Sequence, residues 1–281
     1  LVESVSAADE LWVVSKGAGE NIRSLGYNGD YIVMENGVDL PRGRASEEEI
    51  LEAITGYDLP HGVPVFLFVG RLMWYKGLRI ILDALAALAS QNMDFRMVFI
   101  GGGGDEVEVK TYAEKLGLKK KCIFTGKIYD GMRRVAWYSF ADPFLFPSTF
   151  DTNGLVVREA AACSLGTVMV GGSCASEGVT NGVNGLFIEE NAASLAVCLS
   201  RIMDDKSRMR RIGENAARDL YISWDTAVAK AVDRYEVVME NHKAGHYVDK
   251  RKKMEKVFTL SGEVLDAFDK LNQHFARNEE K

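Results

Sequence analysis

The sequence predicts an α/β chain built on a doubly wound, Rossmann-like parallel sheet, and three observations predict it. From Pro64 onward, short apolar runs near residues 65–70, 96–101, 122–125, 143–147, 167–171 and 186–188 alternate with helical stretches at 77–90, 106–116, 131–140, 154–164 and 192–203. Unbroken apolar runs of about 4–8 residues read as strands covered on both faces, and their regular alternation with helices is the pattern of strand-helix-strand units. Glycines follow the strands at Gly70, Gly101 to Gly104, Gly126 and Gly171-Gly172. A residue without Cβ is wanted there for a sharp turn or for close approach of another group to the backbone. Finally, 281 residues of which 47% are apolar can fill a sizeable core.

Taken in order, Glu10 to Ser15 reads as a short strand, Lys16 to Leu25 as a helix ended by Gly26, and Tyr31 to Met34 as a second strand running into Asn36-Gly37-Val38-Asp39. That is a strand-helix-strand unit with no sheet around it. The chain opens at Leu1 in mid-pattern, as if cut from something longer. Pro41 to Ser46 is linker-like, and Glu47 to Thr55 is an acidic-fronted helix ending at Gly56. Beyond the regular region come helices at about 207–220 and 225–241. A tail from Gly245 follows, with an interrupted apolar stripe at Met254, Val257, Phe258, Leu265, Phe268, Leu271 and Phe275, read as a packing face. The expected division is 1–40 as the strand-helix-strand unit, 41–62 as linker and helix, 63–222 as the sheet domain, and 223–281 as C-terminal helices.

Charge and cysteine content narrow the function classes. Lys+Arg 34 against Asp+Glu 40 gives a net charge of −6, so nothing global recruits nucleic acid. Cys122, Cys163, Cys174 and Cys198 lack CxxC spacing and sit in apolar or glycine-rich contexts, the usage of reduced structural thiols in a cytoplasmic protein. No apolar run approaches ~18 residues and no secretory leader is visible. The basic cluster Lys250-Arg251-Lys252-Lys253 with Lys256 is either a solvated helix face or a contact with anionic lipid at the inner face of a membrane.

The chemistry concentrates between Phe146 and Ala162. An apolar strand, Pro143 to Phe146, feeds a helix through the polar loop Pro147 to Gly154. Open parallel sheets bind ligands outside the carboxyl ends of such strands, where the next helix offers free N–H groups to an anion. Asp151 precedes that helix and Glu159 lies about two turns inside it, roughly 12 Å apart at ~1.5 Å rise per residue. Glycosidases hold their carboxylates ~5 Å or under ~10 Å apart. The pair therefore brackets something longer, with hydroxyls at both ends and an anion between, as in a nucleotide diphosphate sugar. After the first strand of the regular region, Gly70 leads to Arg71 and Lys76. A planar fork and a point charge together suit a diphosphate.

Gly101 to Gly104 lacks the last glycine of a dinucleotide fingerprint and reads as a close-approach turn beside the ligand. Glu177 is either a further carboxylate of the crevice or a solvated one. His61, His242, His246 and His274 lie outside the crevice-forming loops, and the His242/His246 spacing has no third ligand nearby. No Asp-x-Asp pattern offers a divalent-metal clamp. No metal and no cofactor are therefore expected.

Taken together, Asn36-Gly37-Val38-Asp39, Gly70-Arg71-Leu72 with Lys76-Gly77, Pro147-Ser148, the Asp151 to Glu159 spacing and Asn181-Gly182-Val183-Asn184-Gly185-Leu186 resemble the family 4 glycosyltransferases over about residues 7–240. That resemblance implies a retaining enzyme with the two-domain GT-B fold and a nucleotide sugar as donor substrate. It implies that Arg71 and Lys76 hold the diphosphate, that Asp151 binds donor-sugar hydroxyls, and that Glu159 binds the ribose. The base then lies against the backbone near Lys127 and Ile128, and Gly70, Thr152, Asn153, Gly154 and Leu155 complete the donor-binding set. The chain departs from the family at Asp151, where a glutamate is usual, and at Asn153, where an aromatic is usual. It departs again at Ser164, Gly166 and Thr167, where glycine, proline and valine are usual; these departures bear on sugar identity.

The acceptor-binding domain of the family is represented only by about residues 1–40, so the chain reads as the donor-binding half, inactive alone. The acceptor is an unspecified glycan, lipid-linked or small molecule. The rival readings are a non-catalytic nucleotide-sugar-binding module and a glucan phosphorylase-like enzyme, the latter needing a pyridoxal lysine that no motif identifies.

Overall fold

A computed structural model describes residues 2–247. The expected apolar stripe, the basic cluster at Lys250 to Lys256 and His274 lie outside the described residues. The chain forms two compact units, one holding the residues up to Val13, Gly19–Met34 and those from Lys230 on, the other holding Val14–Ala18 and Glu35–Ala229.

In the smaller unit the strands β1 (Leu11–Val13) and β2 (Tyr31–Val33) pair in parallel, Leu11 opposite Tyr31 and Val13 opposite Val33. Helix α2 (Lys16–Ser24) connects them and a short helix α1 (Val2–Ser6) precedes them. Helix α1 carries no buried residue, so no apolar stripe announces it in the sequence. Gly19 lies under the Tyr31 ring, which a Cβ would strike. Glu10 accepts hydrogen bonds from Arg234, Trp12 and Tyr247, which hold its carboxyl below the usual carboxylate range.

The larger unit opens with helix α3 (Glu47–Ile54), started by a capping box in which Ser46 and Glu49 satisfy each other's backbone N–H. Six parallel strands follow, β3 (Val65–Val69), β4 (Arg96–Ile100), β5 (Cys122–Gly126), β6 (Phe144–Phe146), β7 (Thr167–Val170) and β8 (Leu186–Ile188), in the order β5-β4-β3-β6-β7-β8. The connecting helices are α4 (Leu78–Ser90), α5 (Glu106–Lys115), α6 (Gly131–Phe140), α7 (Leu155–Ala162), α8 (Ala192–Asp204) and α9 (Lys206–Asp219), and α10 (Trp224–Lys243) ends the described chain. Every residue of β3, β4, β6 and β7 is buried. That burial is why their sequences, apart from Arg96 and Thr167 at the starts of β4 and β7, are apolar runs with no polar alternation. Phe66, Phe68, Phe99, Phe144, Phe146 and Trp137 are among the largest fully buried side chains of this core.

The strand order reverses beside β3: the chain runs outward through β4 and β5, then returns to β6 on β3's other side. Such a switch point parts the two adjacent strand-end loops and opens a crevice at the carboxyl ends. Here those loops follow β3 and β6. The Asn36 to Asp39 turn is laced to the start of α10, with Val38 N–H donating to the Ile222 carbonyl at 3.0 Å and no room for a Cβ on Gly37 against the Trp224 backbone.

Candidate functional site

Leaving β3, the chain passes Gly70, turns through a 3₁₀ helix at Trp74–Lys76, and enters α4 after Gly77. That extra turn starts α4 one residue later than the apolar pattern suggested. Gly77 has φ 77°, and a Cβ there would overlap the Pro147 carbonyl, so glycine is what lets the β3 loop seat on the β6 loop. The seating brings the two charged residues of these loops together. Lys76 Nζ lies 2.5 Å from Asp151 Oδ2, with side chains 15% and 19% exposed. Both are largely withdrawn from water, so their attraction is screened less than a surface pair's. The ammonium also stands 5.3 Å from the Tyr75 ring centre and 5.8 Å from that of Phe146. Arg71 is exposed at the same strand end and makes no ion pair among the described residues.

The β6 loop carries the rest of the predicted set into α7. Asp151 Oδ1 accepts the Thr152 N–H at 3.1 Å, and the Thr152 carbonyl accepts the Ser15 hydroxyl at 2.5 Å. Gly154 takes φ 60° against Ala175, where a Cβ would have no room, and starts the helix. Leu155 follows it, exposed. Asn153 is 5% exposed, and both polar atoms of its amide, like the buried Ser148 hydroxyl, lack a hydrogen-bond partner among the described residues. Buried polar groups are nearly always satisfied, so orphans concentrated in one loop are unusual.

Glu159, farther along α7, accepts the Tyr138 hydroxyl at 2.9 Å. Burial pushes its carboxyl pKa up, while the Tyr138 hydrogen bond and the nearby Arg134 charge pull it back and Asp39 adds to the rise. Tyr138 is fully buried and its phenol is held well above its ordinary range, first by burial and then by Glu159. Arg134, in the first turns of α6, donates to the Ile128 and Tyr129 carbonyls at 3.3 and 3.2 Å. The backbone after β5 is thereby tied toward Glu159. Lys127 on that loop is exposed, and its side chain passes beside Gly102.

One expectation is corrected. Glu177 neither reaches the crevice nor stays solvated, because its carboxylate accepts the Lys16 and Gly17 N–H groups at 2.7 and 2.6 Å and so caps α2. The glycine run at Gly101 to Gly104 makes its close approach to the neighbouring loop. A Cβ on Gly101 would overlap the Gly70 carbonyl, one on Gly103 the Leu72 carbonyl, and Leu72 N–H donates to the Gly102 carbonyl at 3.1 Å. Sequence reasoning missed Arg134 and Tyr138. Their i,i+4 spacing on α6 places them on one face, which was the available signal.

No group of three His, Cys, Asp or Glu side chains among the described residues is placed to hold a metal ion. A cavity of about 530 Å³ bounded by β8, α8 and α9 lies apart from these loops and contains none of the predicted residues.

Comparison with known proteins bears on the family and the fold. The family model for glycosyl transferases of group 1 matches residues 51–219, more than half of the chain. An uncharacterized glycosyltransferase of Methanocaldococcus jannaschii is 28% identical over 180 residues, covering 63% of this chain and 45% of the relative. A D-inositol 3-phosphate glycosyltransferase of Catenulispora acidiphila is 28% identical over 256 residues, 86% of this chain and 59% of the relative. This chain thus spans about half the length of the curated relatives it matches. Among solved structures, the Anabaena HepE protein in complex with UDP and glucose superposes with a TM-score of 0.71 at 22% identity, covering 82% of this chain and 63% of that one. Sucrose-phosphate synthase of Thermosynechococcus elongatus gives 0.72 at 22% identity, covering 83% and 59%. The parallel sheet is of the GT-B type, and the chain belongs to the glycosyl transferases of group 1.

Proposed function

We propose that this chain supplies the donor-binding half of a retaining glycosyltransferase, which moves a sugar from a nucleotide diphosphate sugar to an acceptor. The observation that carries the reading is the Lys76–Asp151 pair at the switch point, facing the start of α7. A cation, a carboxylate and a helix N-terminus within one crevice match the diphosphate and the sugar hydroxyls of one donor. Arg71 and Lys76 take the diphosphate, Asp151 the sugar hydroxyls, and the backbone from Thr152 to Leu155 with Gly70 frames the group between them. Glu159 takes the ribose, and the Lys127–Ile128 backbone takes the base. The HepE structure is a complex with UDP and glucose, which makes UDP the first nucleotide to try.

In the reaction the acceptor oxygen bonds to the anomeric carbon on the face from which the diphosphate departs, and the acceptor's hydroxyl proton passes to the departing phosphate oxygen. The bond to the β-phosphate oxygen breaks, and the negative charge it leaves is met by Lys76, Arg71 and the α7 N–H groups. Preorganised donors of this kind are worth ~3–4 kcal/mol for a single group. Neither a metal nor a cofactor enters this scheme, and the setting is cytoplasmic; no helix among the described residues is long and apolar enough to cross a membrane. Alone, the chain binds nucleotide without transferring sugar, because positioning of the acceptor can account for ~7–11 kcal/mol of a barrier and belongs to the rest of the protein. Calorimetry with UDP, GDP and ADP tests the reading. One preferred nucleotide and no transfer product is the expected result; sugar transfer by these residues alone, or no nucleotide binding, overturns it.

A further inference from the structure

We propose that Arg134 is a positioning residue for the nucleoside part of the donor, fixing in one geometry the backbone that meets the base, on the same helix whose Tyr138 holds the carboxylate that meets the ribose. The inference rests on the donor reading above and adds to it a residue that the sequence motifs do not contain.

The argument starts from what the β5–α6 loop lacks. Lys127 and Tyr129 are exposed, and Asp130 spends its carboxylate on the first N–H groups of α6, accepting from Met132 at 2.8 Å and Arg133 at 3.3 Å. Nothing in that cap restrains the carbonyls of Ile128 and Tyr129. Arg134 does, since one guanidinium nitrogen donates to both. A planar fork can hold two carbonyls from a fixed direction, which a lysine ammonium on a flexible stem cannot do as well.

The same helix acts on the other end of the nucleoside. One turn farther along α6, Tyr138 donates to Glu159. The Glu159 carboxylate touches Tyr138 and feels the charges of Asp39 and Arg134, and it acts in turn on the Cys163 thiol. Arg134 is the one cation among them. Its charge, like the Tyr138 hydrogen bond, offsets part of the rise that burial gives the Glu159 carboxyl, and an ionised carboxylate is the stronger acceptor for two ribose hydroxyls. Base loop and ribose carboxylate are therefore both held from one helix, by Arg134 and Tyr138, and its Val135 to Ser139 segment is buried in the core.

The test separates nucleoside from phosphate. Calorimetry on the 281-residue chain uses the preferred nucleotide among UDP, GDP and ADP, its nucleoside, and inorganic pyrophosphate. Arg134→Ala should weaken nucleotide and nucleoside binding about tenfold while leaving pyrophosphate unchanged, and Arg134→Lys should restore only part of the loss. The nucleotide-binding pH profile of Arg134→Ala should move to higher pH, because Glu159 then holds its proton longer. Equal losses for nucleotide and pyrophosphate would mean a merely structural role and overturn the proposal, as would unchanged nucleotide affinity. Should the wild-type chain bind pyrophosphate but neither nucleotide nor nucleoside, the ribose and base assignments fall together. Binding of none of the probes overturns the donor reading itself.

Discussion

Two loops of the larger unit leave the strands that flank β3, β4 on one side and β6 on the other, at the carboxyl ends of the sheet, yet they differ in how their polar groups are used. The loop after β4, Gly101 to Asp105, spends its backbone and its carboxylate on its neighbour. Leu72 N–H meets the Gly102 carbonyl, Asp105 N–H meets the Leu72 carbonyl at 3.2 Å, and the Asp105 carboxylate accepts the Trp74 N–H at 2.8 Å. The loop after β6, Pro147 to Gly154, ends with an ion pair at the strand tips and with Asn153 and Ser148 buried but unpartnered. A glycine run therefore marks here where two loops must touch, and the unspent polar groups mark where a ligand would be met. Glycine removes a steric barrier without saying what comes close, whereas an orphaned buried donor or acceptor costs ~1–3 kcal/mol and calls for a reason.

The comparison breaks first at Gly101. It takes φ 139° and has a backbone oxygen where a Cβ would go, so Gly101→Ala has to move one loop off the other and add backbone strain as well. A loss of about 3 kcal/mol is expected, near the upper range for point substitutions, read as a lower midpoint in denaturant at unchanged slope. Wild-type stability would show that the loops do not need their contact. Next is Lys76→Ala, where the change belongs to function. In the complete enzyme kcat/KM should fall at least tenfold, about 1.4 kcal/mol, and wild-type kinetics would remove Lys76 from the diphosphate site.

What the sequence told of these regions follows from how local each cause is. The apolar runs of β3, β4, β6 and β7 are dictated by burial on both faces and those of the edge strands β5 and β8 by partial burial, so strand positions were legible to within a residue or two, and so was the isolated β1–β2 pair. The 3₁₀ turn at Trp74–Lys76 was not, because three residues cannot carry a period. Partners far apart in the chain were the least legible. Glu177 caps a helix 160 residues earlier, and Arg158 meets Glu35 at 2.8 Å and the Leu220 carbonyl at 3.0 Å. Such pairs depend on how the units of the sheet stack, and the same residue types in sequence read equally well as solvated charges. Asp151 was placed at the site by its position after a strand, but its contact with Lys76 required knowing that β6 returns beside β3.

Glu159→Gln sharpens the comparison by separating the two costs of an uncomfortable group. Its pKa is raised in the fold, so by linkage the carboxyl favours folding at pH below its unfolded value, and that contribution is lost as pH rises through the folded value. Removing the charge should leave stability at neutral pH equal or higher, since the amide oxygen can still accept from Tyr138. Nucleotide affinity should fall about fivefold, ~1 kcal/mol, for the weaker acceptor facing the ribose. Affinity for the wild-type chain should rise with pH as Glu159 ionises, and the variant should be flat across that window. A variant that loses stability and affinity together would place Glu159 in the structure and not in the site.

The smallest effect is expected at Ser148. Its hydroxyl is fully buried without a partner among the described residues, in the loop that carries Asp151 and Asn153. Where a hydroxyl makes a hydrogen bond, deleting it costs about 0.5–1.5 kcal/mol; where it makes none, deletion relieves a desolvated dipole and leaves only a small void. Ser148→Ala should therefore change the unfolding free energy by no more than about 0.5 kcal/mol, in either direction, in the chain without nucleotide. If the loop keeps its polar groups for the donor, the same substitution should reduce the stabilisation that saturating nucleotide confers, which is read as a smaller thermal shift than wild type at equal concentration. A large loss without nucleotide would mean that the hydroxyl is already satisfied within the fold. An unchanged shift with nucleotide would mean that the hydroxyl is simply carried at a cost, and the contrast between the two loops would then rest on Lys76, Asp151 and Asn153.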